Sequence, residues 1–326
     1  MESTITHSPL FLCAIVARSS DTSVAVVNEK GEFLYRFIGK SIDQSKVGEA
    51  KALTNGKDIR NQLVDELERI PDFVFVTDAS DGGNEECSSV YPIAKQLFDG
   101  KMEVRSCHYT SLIAIADETV PMAMMEAGVE TKAWGIDQEG RVVTTGGWGA
   151  TLGNEGSATH LTVEALKSVI RANDGMARRT VLTQRVKQYF QVEDFRQLPS
   201  ILASTSTDPN WIAGFSAEVE QASEEGDIAS IMLLGETIEW LYRLSQSIIR
   251  KCGAKQLCLS GDLFQSSKAI RERLSERFNN SGVDIYISSL TLEQSALIAA
   301  FKMASLSPEH SLFANWQTQF AEEIHA

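Results

Sequence analysis

The chain has 326 residues, 43% of them hydrophobic and 23% charged, with a formal net charge of -14. That length suits two domains, each large enough to bury its own core. The acidic balance argues against nucleic acid or an anionic membrane as the main partner, and no apolar run reaches the roughly 18 residues a membrane-spanning helix needs.

In chain order, residues 1–8 are polar and end-like. Leu10 to Val16, Ser23 to Val27 and Glu32 to Phe37 are predicted strands, with Asn28-Glu29-Lys30-Gly31 as a hairpin turn between the last two. Pro9 to Ala17 has no basic segment before it, so it reads as a buried strand and not a signal peptide. Ile59, Leu63, Leu67 and Ile70 predict a helix over about 57–69. A strand at Phe73–Val76, a helix at Val90–Phe98, a strand at Met102–Arg105 and a helix from about Thr110 complete a βββαβαβα order. Farther on, Val181 to Phe190 suggest one helix, and Asp208-Pro209-Asn210 reads as a turn. Gly226-Asp227 opens a long amphipathic helix ending near Gly253. Gln256 to Gly261 is a buried strand running into a turn, followed by a helix over about 266–278. Val283 to Ser288 is the last core strand, and a terminal helix is expected over about 309–324.

Five cysteines, Cys13, Cys87, Cys107, Cys252 and Cys258, are scattered and odd in number. They point to free thiols in a reducing cytoplasm. No CxxC pair or histidine cluster suggests a metal site.

One stretch dominates the middle of the chain: Gly146-Gly147-Trp148-Gly149-Ala150-Thr151-Leu152-Gly153-Asn154-Glu155-Gly156-Ser157. Glycine permits positive φ and close backbone approach, so this density reads either as a loop shaped around a ligand or as a tight strand-to-helix turn. Ser157 is a plausible N-cap for the helical pattern Ala158, Leu161, Ala165, Leu166, Val169.

This string resembles the second-domain signature GGWG-x-x-LG-acid-EGS of N-acetylglucosamine kinases and the related BadF/BcrA-type ATPases, members of the sugar kinase–Hsp70–actin superfamily. Only Asn154 departs, standing where an Asp is usual. The resemblance implies an α/β chain of two actin-like (ribonuclease H-like) domains, each a mixed sheet flanked by helices, facing each other across a cleft lined by 146–157. The first would span 9–116, completed by a C-terminal helix within 307–326, and the second 117–306. It further implies ATP and magnesium as cofactors, an amino sugar as small-molecule partner and phosphoryl transfer to a hexosamine hydroxyl, and it leaves a homodimer open.

The family's motifs map onto this chain with substitutions. Its first phosphate hairpin, D-G-G-G-T-K-T, falls on Val16-Ala17-Arg18-Ser19-Ser20-Asp21-Thr22, where only Thr22 is kept. Val16 cannot hold a hydrated cation. Arg18 either meets phosphate directly or is an exposed arginine on a hairpin. The catalytic-base position falls on His108, with Asp117 as a lower-ranked acid. The second phosphate loop falls on Gly128 to Gly135, keeping Gly128 and placing Thr131 for Ser and Glu130 for a glycine. A carboxylate there repels phosphate by roughly 1–4 kcal/mol at about 4 Å, binds a sugar hydroxyl or cation, or points to solvent. Gly147, Asn154, Glu155 and Gly156 are the sugar-binding candidates; Thr22, Gly128, Thr131 and Gly261 are the nucleotide-binding ones. Asp262 replaces the second glycine of the adenosine turn, and Thr291 to Ala296 stand where a glycine–alanine pair opens the family's final helix. Two classes therefore stay open: an amino-sugar kinase or related ATPase with a modified site, and a catalytically inactive sugar-binding or regulatory protein on the same scaffold.

Overall fold

The computed structural model describes residues 9–79, 88–98, 102–115, 121–204 and 207–307. Asp117, Cys87 and the helix expected over 309–324 lie outside the described residues. The chain divides into two units, 1–117 with 290–326 and 118–289.

The first unit begins with β1 (Phe11–Ala17), β2 (Asp21–Asn28) and β3 (Phe33–Lys40). Next come α1 (Gln44–Val47), α2 (Glu49–Leu67), β4 (Phe73–Asp78), α3 (Tyr91–Leu97), β5 (Met102–Ser106) and α4 (Cys107–Ile115). Its sheet runs β3-β2-β1-β4-β5, antiparallel across the first three strands and parallel across β1, β4 and β5.

The second unit repeats the plan. It opens with β6 (Met122–Ala127), β7 (Thr131–Ile136), β8 (Val142–Gly146), α5 (Gly149–Leu152) and α6 (Ala158–Asn173). A helical stretch follows: α7 (Leu182–Phe190), α8 (Leu198–Ala203), α9 (Pro209–Gly214), α10 (Ser216–Glu224) and α11 (Ile228–Cys252). Then come β9 (Gln256–Ser260), α12 (Asp262–Ser266), α13 (Lys268–Arg277) and β10 (Asp284–Ile287). The sheet order is β10-β9-β6-β7-β8, with the same mixture of antiparallel and parallel pairs. The last described helix, α14 (Leu292–Met303), returns to the first unit.

Strand β1 is buried on both faces, and its side chains alternate between them as the pleat requires. Cys13, Ile15 and Ala17 join Ile59, Leu63 and Ile93 in the core beneath α2 and α3. Leu12, Ala14 and Val16 face the other way, into a cluster with Ala296, Leu297, Ala300 and Phe301 of α14.

This packing places α14 with the first unit. The sequence reading keeps the second domain to 306, but the chain returns to the first unit at Leu290. The reason is apolar burial: Gln294 to Phe301 are all buried in α14, a helix embedded on every side. Its start is fixed by a capping box in which Thr291 Oγ1 accepts from Gln294 N and Gln294 Oε1 accepts from Thr291 N. Lys302 Nζ ties its far end to Ile113 O at 2.6 Å.

Other departures are local. Helix α2 starts at Glu49, well before the expected 57, and α4 starts at Cys107. Asp208-Pro209-Asn210 is not a turn but a helix start: Asp208 Oδ1 accepts from Asn210 N at 2.9 Å and Pro209 fills the first helical position. Strand β10 lies at the sheet edge, and Tyr286 and Ile287 are about half exposed.

The long helix α11 starts at the expected place. Asp227 accepts from Ser230 N at 3.0 Å, Ser230 Oγ at 2.9 Å, Thr180 Oγ1 at 2.8 Å and Val181 N at 3.2 Å. Burial pushes this carboxyl up, but those hydrogen bonds outweigh it and hold the pKa below the usual aspartate range. A folded pKa below the unfolded one of about 3.9 stabilises above that value and loses the contribution as pH falls through the folded pKa. Asp227→Ala is expected to cost about 0.5–2 kcal/mol near neutral pH. Urea midpoints of variant and parent should converge at low pH, and a gap that stays constant down to pH ~2 would contradict the assignment.

Candidate functional site

The parallel strands of the first unit end in one row, Ala17 beside Asp78 beside Ser106. The edge of an α/β sheet beyond its carboxyl-terminal strand ends is where such sheets bind ligands. Val16 lies just before this row, 1% exposed, with its side chain in the apolar cluster under α14. Arg18 follows, and its guanidinium bonds the Glu293 carboxylate at the start of α14. Arg18 is therefore neither a free surface cation nor an open phosphate contact. Thr22 is fully buried, and its hydroxyl accepts from Ile42 N at 3.3 Å. It holds the β3–α1 turn, which Ser41 Oγ also ties to Arg18 O at 2.7 Å.

That turn carries a residue the sequence reading missed. Asp43 is fully buried. Its Oδ1 accepts from Ser45 N at 2.9 Å, Ser45 Oγ at 2.6 Å and Ser89 Oγ at 2.7 Å, while Oδ2 has no hydrogen-bond partner among the described residues. Burial pushes the carboxyl up, yet the serine hydrogen bonds prevail and hold it below the usual range. Asp78 at the end of β4 was missed too; its Oδ2 accepts from Ser88 Oγ at 2.6 Å. A polar residue closing an apolar strand, as in Phe73–Asp78, was the available signal. His108 lies two residues past the row, in the first turn of α4 and 5% exposed. Thr22 and His108 thus share one sheet edge with Asp43 and Asp78.

In the second unit three motif segments converge beyond the ends of β6 and β9. The β6–β7 turn closes through Gly128 N to Glu130 O at 2.9 Å, and Ala158 N at the start of α6 donates to Gly128 O at 2.8 Å. Asn154 clamps the same turn: its Oδ1 accepts from Thr131 N at 2.9 Å and its Nδ2 donates to Val129 O at 3.1 Å. Its amide oxygen and nitrogen each make one hydrogen bond inside the protein. Gly261 has φ +96°, and a Cβ there would meet Ala127 O at 2.5 Å, so only glycine lets the β9 turn lie against β6. Thr131 is 2% exposed, with its hydroxyl unpaired among the described residues.

The glycine stretch itself is held by its own unit. Gly147 has φ +72° with the Lys132 stem about it, and Gly156 has φ +84° with Leu241 at 3.0 Å from a would-be Cβ. Ser157 caps α6, accepting from His160 N at 2.9 Å, as its position predicts. Glu155 Oε2 accepts from Asn154 N at 3.1 Å. A Cβ on Gly153 would lie 3.2 Å from Trp148 Cβ and 3.5 Å from Glu155 Oε2, so the indole and the carboxylate flank one backbone position. Trp148 is 75% exposed.

Charge near the β6–β7 turn is negative. Desolvation raises the Glu126 carboxyl above the usual range; Lys132 opposes this, and the charges of Asp262 and Glu130 add to it. Among the described residues no group of three or more metal-ligating side chains forms a cation site.

Two sheets of one topology, with motif segments gathered beyond their strand ends, define a two-unit actin-like fold. Residues 19–291 match the BadF/BadG/BcrA/BcrD ATPase family, and the chain belongs to that family. It is 22% identical over 156 residues to N-acetylmuramic acid/N-acetylglucosamine kinase of Clostridium acetobutylicum, covering 45% of this chain and 51% of that one. It is 28% identical over 153 residues to N-acetyl-D-glucosamine kinase of Dictyostelium discoideum, covering 45% and 48%. The match thus spans about half the length of these curated relatives. A crystal structure from Chromobacterium violaceum, provisionally called an N-acetylglucosamine kinase, superposes with a TM-score of 0.64 at 18% identity over 89% of this chain and 99% of that one. No described helix is long and apolar enough to cross a membrane.

The clamp on the β6–β7 turn is testable. Asn154→Asp keeps an acceptor for Thr131 N but sets a carboxylate oxygen against Val129 O, and it is expected to cost about 1–3 kcal/mol. An unchanged denaturant midpoint would remove Asn154 from this role.

Proposed function

We propose that this protein binds an amino sugar of the N-acetylglucosamine class on a kinase scaffold that no longer transfers phosphate. The observation that carries this reading is Val16, which stands where the family places its magnesium-holding acid and is sealed under α14. Phosphoryl transfer rests on positioning and charge neutralisation, and an apolar, 1%-exposed side chain supplies neither. The carboxylates of Glu126, Glu130 and Asp262 about the second phosphate turn support the same reading, since they disfavour an anion there. Glu155 remains the lead sugar contact: its carboxylate accepts sugar hydroxyls, with the exposed Trp148 indole offering an apolar face beside it. Gly147 and Gly156 hold that loop's path.

A second reading, an active amino-sugar kinase, is favoured by His108 at the edge that also holds the ionised Asp43. There His108 takes the proton from the sugar hydroxyl as a general base, Asp43 orients the hexosamine, and ATP with magnesium supplies the phosphoryl group.

Calorimetric titration separates the two. N-acetylglucosamine is expected to bind, and Glu155→Ala to weaken it by about 1–3 kcal/mol. ATP–magnesium is expected to bind no tighter than about 1 mM, or roughly -4 kcal/mol. No turnover is expected from the parent or from His108→Asp across a panel of sugars. A micromolar, magnesium-dependent ATP affinity with sugar phosphorylation that His108→Ala reduces about 10²–10⁴-fold would establish the kinase reading instead.

A further inference from the structure

The β1–β2 hairpin carries an anion-binding arrangement whose anion belongs to the protein. Strand alternation carries Arg18 toward the same face as Leu12, Ala14 and Val16, the face covered by α14. There its Nη2 donates to Glu293 Oε1, and Ser23 Oγ donates to the same oxygen at 3.0 Å. The Glu293 side chain is 17% exposed and that of Arg18 34%. Glu293 belongs to the first turn of α14, where backbone N–H groups favour negative charge. In the same turn Gln294 is 1% exposed, and its Nε2 makes no hydrogen bond among the described residues. On its outer side Arg18 reaches Asp21 at 3.5 Å.

We propose that Arg18, Ser23 and the start of α14 form a receptor for a phosphoryl-type oxyanion, and that the Glu293 carboxylate fills it permanently from within. A guanidinium and a hydroxyl converging on one oxyanion recognise carboxylate and phosphate alike. The tethered group competes at an effective concentration in the millimolar range or above, and its charge repels a second anion beside it. Burial pulls the Glu293 carboxyl up, but the hydrogen bond and charge of Arg18 outweigh it and hold the pKa below the usual glutamate range, so the internal anion stays ionised near neutral pH. The inference extends the non-transferring reading: the hairpin carries its own substitute for the excluded anion. It rests on that reading only for the identity of the ligand excluded, a nucleotide phosphate.

The probe is pyrophosphate without sugar or magnesium, titrated calorimetrically into the full chain. The parent protein is expected to bind it weakly or not at all. Glu293→Ala should tighten binding at least about tenfold, since competitor and repulsion go together, and adding Arg18→Ala should abolish the gain. Glu293→Gln keeps the side chain's shape while removing its charge; it should act in the same direction and serves if the alanine variant fails to fold by circular dichroism. Equal affinity in the parent and both single variants would overturn the proposal, as would a gain that survives Arg18→Ala. The readout involves neither sugar nor turnover. Sugar phosphorylation by the parent would sink the functional reading alone, and an absent anion gain would sink only this one.

Discussion

The burial of β1 on both faces is the constraint on which the first unit depends. A strand with two apolar faces must be covered twice, and here α2 and α3 supply one cover while α14 supplies the other. Once α14 lies against Leu12, Ala14 and Val16, the parity of the strand fixes what the hairpin beyond can offer. A carboxylate at position 16 would face the apolar flank of α14, where an unpaired charge is costly. Two residues on, the same face meets the polar start of α14, and there a charged residue is matched by Glu293. The apolar residue at position 16 and the ion pair at position 18 are thus two results of one packing arrangement.

The second unit solves a different problem. Its turn between β6 and β7, its glycine loop and its β9 turn are brought together by polar ties, not apolar cover. Asn154 supplies both a donor and an acceptor to that turn, which an aspartate cannot do. Gly261 removes the Cβ that would strike Ala127 O. These two residues account for the arrangement of the loops through contacts within the unit itself.

Much of the fold was legible because its signals are periodic. Every strand in the β1 to β5 sheet and the long helix α11 follow from apolar spacing and punctuating glycines. The boundary at Leu290 was not legible: Gln294 to Phe301 read as a helix in any domain, and only the shape of the surface it fills assigns it to the first. Asp208-Pro209-Asn210 misled because proline after aspartate opens a turn and a helix with the same residues. At the candidate site, motif positions singled out Arg18, His108 and Glu155 but could not say what each touches. Asp43 escaped notice because its significance lies in burial and in an unspent oxygen, neither of which has a one-dimensional signature.

The path of α14 also bears on how the chain reaches its native state. The second unit is one continuous segment, residues 118–289, so it has all its parts as soon as that segment leaves the ribosome. The first is split, and its opening strand must wait for a helix encoded some 280 residues later to close over Leu12, Ala14 and Val16. Contacts so distant in sequence form late, and an apolar face left uncovered during synthesis invites association. The first unit is therefore complete in sequence only after the whole of the second has been synthesised.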